Sequence, residues 1–195
     1  MNYGQLKNEI RDLGFSEDVE ITEFGEIVPH SINRAITEIN LTVCPITETY
    51  LIEQDGNEAD LLYYDMEELT KENNVVKFLE FTDTPVMYGT GVYRKFSDYE
   101  IEQEKILIID GSTAGKFKVF YKKAHDPFGI DSEDSVELPL PLKAHHLVPL
   151  LASYYIWLED EKAKAVDYYN QYEKLSQKLT EGRTDNRIRI LSGGI

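Results

Sequence analysis

The sequence is short of most residues that mark chemistry. It has one cysteine, Cys44, and four histidines, His30, His125, His145 and His146, among 195 residues. A lone cysteine closes no intramolecular disulfide and completes no zinc site without several histidines at ligand spacing. His145 and His146 are adjacent and leave a helix on different faces. His30 reads as part of a helix N-terminal turn. Cys44 stands beside Pro45 on an apolar face, with no base near it in sequence, and reads as core. No apolar run approaches the ~20 residues of a membrane helix. The opening Met1-Asn2-Tyr3-Gly4-Gln5 lacks the basic and apolar regions of a signal peptide, so a cytoplasmic chain is expected.

Phosphate and metal motifs are also missing. In Gly111-Ser112-Thr113-Ala114-Gly115-Lys116-Phe117, three residues separate the glycines instead of four. Phe117 replaces the metal-binding hydroxyl, and a strand follows where a helix is needed. Gly89-Thr90-Gly91 reads as a turn. Asp131-Ser132-Glu133-Asp134 lacks the ligand pattern of a calcium loop. Acids abundant enough for glycoside chemistry are present, but nothing singles out a pair. The expectation is a protein with no catalytic, metal or cofactor site, and no cofactor.

Bases are the scarcer charge: 20 against 36 acids, for a net charge of −16. That excess argues against wrapping nucleic acid, where cations must neutralise phosphates. It is uneven: −5 over residues 1–45, −12 over 46–138 and +1 over 139–195. At 42% hydrophobic and 29% charged, the chain reads as globular, one domain or a small domain with an insertion.

The pattern runs helix, sheet, helix. Leu6, Ile10 and Leu13 make an amphipathic stretch from Tyr3 that Gly14 ends. Ile27, Val28, Ile32, Ala35, Ile36 and Ile39 form one face of a second helix, with Pro29 in its first turn and Pro45 closing the segment. From Ile46 to Leu138 short β-rich runs follow: Thr49–Ile52, Leu61–Tyr64, Val75–Leu79, Tyr99–Ile101, Lys105–Ile109 and Lys116–Tyr121. The last two, joined through Asp110-Gly111 and Gly115, read as a hairpin. Five to seven antiparallel strands are expected, with Asp65 to Leu69 a single helical turn. Leu142 to Leu158 is apolar nearly all round, a helix buried on several sides, and Pro149 inside it implies a kink or a late start. Ala165, Tyr168, Tyr172, Leu175 and Leu179 then form a seam on a last helix, which Gly182 ends.

These readings predict an α+β fold, a four-helix bundle-like domain with an inserted antiparallel β subdomain. The boundaries are 1–45 and 139–182 for the helices, 46–138 for the insertion and 183–195 for an extended tail. That tail, Asn186 to Ile195, alternates like a strand. It either folds back on the β subdomain or adds to a sheet on another protein.

In the order of its pieces the chain resembles the head–tail connector (adaptor, or neck) proteins of tailed bacteriophages. The matching pieces are Ile32-Asn33-Arg34-Ala35-Ile36-Thr37-Glu38-Ile39, then Lys116-Phe117-Lys118-Val119-Phe120-Tyr121-Lys122-Lys123, then Asp134-Ser135-Val136-Glu137-Leu138-Pro139. The tyrosine-bearing helix Leu150-Leu151-Ala152-Ser153-Tyr154-Tyr155-Ile156-Trp157-Leu158 follows, then Asp160-Glu161-Lys162-Ala163-Lys164-Ala165 running into Tyr168-Tyr169-Asn170-Gln171-Tyr172. The long β segment departs from the smaller, purely helical connectors. The resemblance implies a structural virion protein rather than an enzyme. It would form a homo-oligomeric ring, usually a dodecamer, between the portal protein and a tail or stopper protein. DNA would pass through the channel without specific binding. The location implied is the virion neck, with assembly in the host cytoplasm and no membrane. Tyr168, Tyr169 and Tyr172 would supply the ring interface. Arg187, Ile188, Arg189, Ile190 and Leu191 would dock on the portal.

Two other readings stand beside it. In one, the β subdomain is a binding module for a glycan or a virion protein, with Tyr63, Tyr64, Tyr88, Tyr93 and Tyr99 as an aromatic platform. In the other, the protein is a hydrolase, which predicts a cleft with two acids and a raised carboxyl pKa.

Overall fold

The computed structural model describes residues 1–14, 25–89 and 91–191, with 182–191 described by their backbone. Among the described residues there are five α-helices: α1 (Tyr3–Gly14), α2 (Ile27–Thr42), α3 (Met66–Leu69), α4 (Leu147–Trp157) and α5 (Lys162–Leu191). Two compact units form, residues 1–45 with 125–195, and residues 46–124.

In the first unit the amphipathic faces bury as their spacing predicts. Tyr3, Leu6 and Ile10 of α1 are buried, as are Val28, Ile32, Ala35, Ile36 and Ile39 of α2. Pro29 sits in the first turn of α2, where its missing N–H costs nothing. Pro149 likewise falls in the first turn of α4, which begins at Leu147 after a 3-10 turn over Leu142–Ala144. Helix α4 is apolar on all sides, and α1, α2 and α5 each pack on it.

The C-terminal carbonyls of α1 are closed by side chains of α5. Tyr168 Oη donates to the Leu13 carbonyl, and Lys164 Nζ donates to the Gly14 carbonyl at 2.7 Å. The Lys164 ammonium also lies 3.6 Å from the Trp157 ring centroid. A cation there meets the negative end of the α1 dipole.

The expected four-helix bundle-like domain with an inserted β subdomain is not what forms. The chain is mixed α and β, about 39% helix and 30% strand, with five helices and three antiparallel sheets. A four-helix bundle asks one apolar stripe of each helix, whereas α4 is apolar all round and takes a neighbour on several sides. The boundary of the helical unit also falls earlier than residue 139. Asn33 of α2 donates from Nδ2 to the Phe128 carbonyl and accepts the Phe128 N–H, both at 2.8 Å. Phe128 stacks on Tyr3 at 4.6 Å between ring centroids, and Lys7 pairs with Asp134 at 2.6 Å. Residues 125–138 are thereby held on α1 and α2.

The described residues of the second unit form nine strands: β1 (Thr47–Gln54), β2 (Leu61–Asp65), β3 (Lys71–Glu72), β4 (Val75–Val76), β5 (Phe78–Gly89), β6 (Arg94–Lys95), β7 (Tyr99–Glu102), β8 (Ile106–Asp110) and β9 (Gly115–Lys123). They make a sheet in the order β1-β9-β5-β6, a second in the order β2-β8-β7, and the small pair β3-β4. Ile52, Val86, Phe117 and Val119 from the first sheet meet Leu107 and Ile109 from the second in one apolar core. Helix α3 forms where a single turn is expected, capped by Asp65, whose side chain accepts from the Glu67 and Glu68 N–H groups. Its Met66 is fully buried in the same core.

The expected hairpin of Lys105–Ile109 with Lys116–Tyr121 does not form. Strand β8 pairs with β2 and β7, and β9 pairs with β1 and β5. The segment between them is a corner from one sheet to the other. Asp110 Oδ1 accepts from the Ser112 N–H at 2.8 Å and from its hydroxyl at 2.7 Å, and the Thr113 N–H donates to the Asp110 carbonyl. Strand β5 is longer than its apolar run because a register shift between Phe81 and Val86 absorbs Pro85, which cannot donate to a ladder.

Two substitutions test this packing. A Cβ on Gly14 would lie 2.5 Å from Trp157 Nε1, so Gly14→Ala should destabilise the protein by about 1–3 kcal/mol in urea denaturation. The Ser153 hydroxyl of α4 is buried with no hydrogen-bond partner among the described residues. Ser153→Ala should therefore leave stability unchanged or raise it by up to about 1 kcal/mol.

Candidate functional site

The helical unit gathers its polar and aromatic groups where α2, α4 and α5 face one another. Tyr154 and Tyr155 lie in the last turn of α4, just before Ile156 and Trp157. Tyr154 meets Tyr169 of α5 at 5.0 Å between ring centroids, and Tyr169 meets Tyr172 at 5.9 Å. Tyr155 turns towards α2. Its hydroxyl donates to Glu38, and the Arg34 guanidinium lies 3.9 Å from its ring centroid. Arg34 and Glu38 are one turn apart on the side of α2 away from its apolar face, so both reach the same tyrosine.

Beside this network lies a cleft of about 460 Å³, with Glu26, His30 and Arg34 on the α2 side and Tyr155, Glu159 and Asp160 on the other. Three carboxylates, Glu26, Glu159 and Asp160, thus share the cleft with the Arg34 guanidinium and the Tyr155 phenol. Burial, then the bond to Glu38, pushes the Tyr155 phenol far above its ordinary value, so it acts as a fixed donor near neutral pH. Among the described residues no three His, Cys, Asp or Glu side chains converge to hold a metal. Cys44 is buried, as its apolar surroundings predict.

The tyrosines expected at a ring interface separate by burial. Tyr168 and Tyr172 are only 7% and 5% exposed, spent on contacts within the chain, whereas Tyr169 is 38% exposed. Arg187, Ile188, Arg189, Ile190 and Leu191 fall within α5, which continues past Gly182 to Leu191. The extended tail expected from residue 183 is thus helical up to Leu191. A glycine inside a helix costs only about 1 kcal/mol against alanine, less than its neighbours on both sides can offset. Residues 192–195 of that expected tail lie outside the described residues, as does most of the acidic link after α1.

The aromatic platform expected of the β unit does not assemble. Tyr64, Tyr88 and Tyr99 pack against the apolar core, Tyr93 lies under the Lys118 ammonium, and Tyr63 alone of the five is strongly exposed, at 61%. The Arg34–Tyr155–Glu38 network and the Lys164 contact carry no motif. The only sequence signal for the first is the four-residue spacing of Arg34 and Glu38.

No protein-family model matches the chain, and no curated protein matches it in sequence. Among the described residues no helix is long and apolar enough to cross a membrane.

Burial of the phenols makes a pH prediction. An unfolded tyrosine loses its proton near pH 10, whereas Tyr121 is pushed up to about 12 by burial, then by Glu48 and Glu72. Tyr155 moves in the same direction. Stability present below pH 10 should fall as pH rises from 10 towards 12, because the unfolded state sheds protons first. Urea midpoints at pH 7 and pH 11 should show this fall, and Tyr155→Phe should make it smaller. At pH 7 the same variant should cost about 1–2 kcal/mol, because Glu38 loses its donor.

Proposed function

We propose that this chain is a structural virion protein of a tailed phage or prophage, a head–tail connector that assembles as a ring on the portal and prolongs the DNA channel. It acts by holding partners and carries out no catalysis. The observation that carries the reading is the reach of α5. Its 30 residues span about 45 Å, against about 16 Å for the 11 residues of α4 on which it packs. Described side chains beyond Tyr172 are not buried, and Leu175, on the same seam as Tyr168 and Tyr172, is 38% exposed. A helix that outruns its own core, with its apolar seam continuing, suits packing against a neighbouring copy.

The charge supports the same reading. An acidic lumen repels DNA phosphates and lets DNA slide, which fits −16 per copy better than DNA binding does. In this reading the protein works in the virion neck, after assembly in the host cytoplasm, between a portal protein and a tail or stopper protein. Tyr169 and Leu175 face the next copy in the ring. Arg187 to Leu191 meet the portal from the end of a helix, adding bases to an otherwise acidic chain.

Mixing the chain with portal protein from the same phage or prophage genome, followed by native mass spectrometry and electron microscopy, tests this. A ring on the portal is expected. Removal of residues 183–195 should abolish docking while leaving far-ultraviolet circular dichroism per residue nearly unchanged. Docking that survives this deletion removes the role of the C-terminal segment, and a chain with no affinity for the portal removes the connector reading.

A further inference from the structure

Strand β1 is an edge of the four-stranded sheet, and its ladder to β9 runs unbroken from Thr47↔Lys122 to Gln54↔Gly115. The bond from the Lys123 N–H to the Ile46 carbonyl, 2.8 Å, lies in the same register and sets the phase of the ladder. In an antiparallel pair, alternate residues exchange hydrogen bonds with the partner. Glu48, Tyr50, Ile52 and Gln54 therefore bond to β9, and Thr47, Thr49, Leu51 and Glu53 aim their N–H and C=O groups away from it. All four of the latter residues are exposed. Among the described residues, no backbone hydrogen bond meets their outward groups.

Natural edge strands are usually blunted by shortness, proline, lysine or a bulge. The other edges of these two sheets are short: β6 has two residues, β7 four and β2 five. β1 has eight, reading Thr-Glu-Thr-Tyr-Leu-Ile-Glu-Gln, with no proline, glycine, lysine or register shift. It is a regular, unprotected template for one more strand.

Local charge indicates the occupant. On the outer face of this sheet Lys95, Lys116, Lys118 and Lys122 outnumber Glu53 and Glu80. The β2-β8-β7 sheet has the opposite sign, with Asp65, Glu100, Glu102 and Asp110 and no base. In a chain of net charge −16, Lys116, Lys118 and Lys122 of β9 lie one strand in from β1, the longest open edge among the described strands. Pairing β1 with β1 of a second copy would bring two cationic faces together, which like charge opposes.

We propose that β1 is a docking edge for an extended, acidic segment of a partner protein, which adds to the sheet as a strand beside Thr47–Glu53. Its alternate apolar residues lie beside the half-buried Tyr50, and its acids lie towards the lysines. The proposal stands apart from the connector reading and survives or fails without it.

The test uses the full isotope-labelled chain and an eight-residue peptide alternating glutamate with valine and threonine. Saturable binding is expected, with hydrogen exchange slowed selectively at the Thr47, Thr49, Leu51 and Glu53 amides. The same peptide with lysine for glutamate should bind about tenfold more weakly at low salt, a gap that narrows at high salt. Leu51→Pro removes one outward N–H without touching the β1–β9 ladder and should abolish binding, whereas Thr49→Val should retain it. Protection of the β9 amides in Leu51→Pro verifies its fold, and Thr49→Pro is the second blocking variant. Absence of saturable binding, equal affinity for the lysine peptide, or protection elsewhere overturns the proposal. So does concentration-dependent protection of the four amides without peptide, which would make the occupant a second copy.

Discussion

Helix α4 has no side to give to water, and the arrangement of the helical unit follows from that constraint. Leu147, Val148, Leu151, Ala152 and Ile156 point around its circumference and are all buried. Each of the leucine, valine and isoleucine side chains is worth roughly 1.5–3 kcal/mol when withdrawn from water. Amphipathic helices α1, α2 and α5 supply the covering faces. The polar bonds of this unit then act as alignment: Tyr168 and Lys164 on the end of α1, Tyr155 on Glu38, and Asn33 on the strand-free segment at Phe128. Their individual contributions are modest, but each satisfies a group that would otherwise be stranded near the core.

In the β unit, β9 does comparable work by a different route. Phe117, Val119 and Tyr121 face the core, and Lys116, Lys118 and Lys122 face outward, so the period-two pattern allows one register only. The outward lysines meet Glu53 and Glu80 at 2.6 and 2.5 Å across the neighbouring strands. Exposed pairs of this kind add little stability. Their effect is to tune the sheet face, which keeps a cationic balance in an acidic protein.

Both units leave part of their hydrogen-bonding or apolar capacity unused within the chain: the seam of α5 beyond Tyr172 and the outward edge of β1.

The sequence by itself determined the elements that depend on neighbours within a few residues. Apolar spacing of three and four marked α1 and α2, the all-round apolar run marked α4, and proline placed the first turns of α2 and α4. The Asp65–Leu69 turn and most strands were legible for the same reason. Partnership was not. The Asp110–Gly115 turn looks like a hairpin because its residues suit one, yet β8 and β9 enter different sheets, since each finds better apolar complements elsewhere. Tyr168, Tyr169 and Tyr172 look alike in sequence, and only the packing of α5 on its neighbours buries two and leaves one exposed. The strand-like alternation after Gly182 gave way to helix, because an isolated segment without a sheet to join has no ladder to stabilise it, whereas α5 offers a helix already nucleated. Which residues become a site is a long-range matter, decided where Arg34 and Glu38 of one helix meet Tyr155 of another more than a hundred residues along the chain.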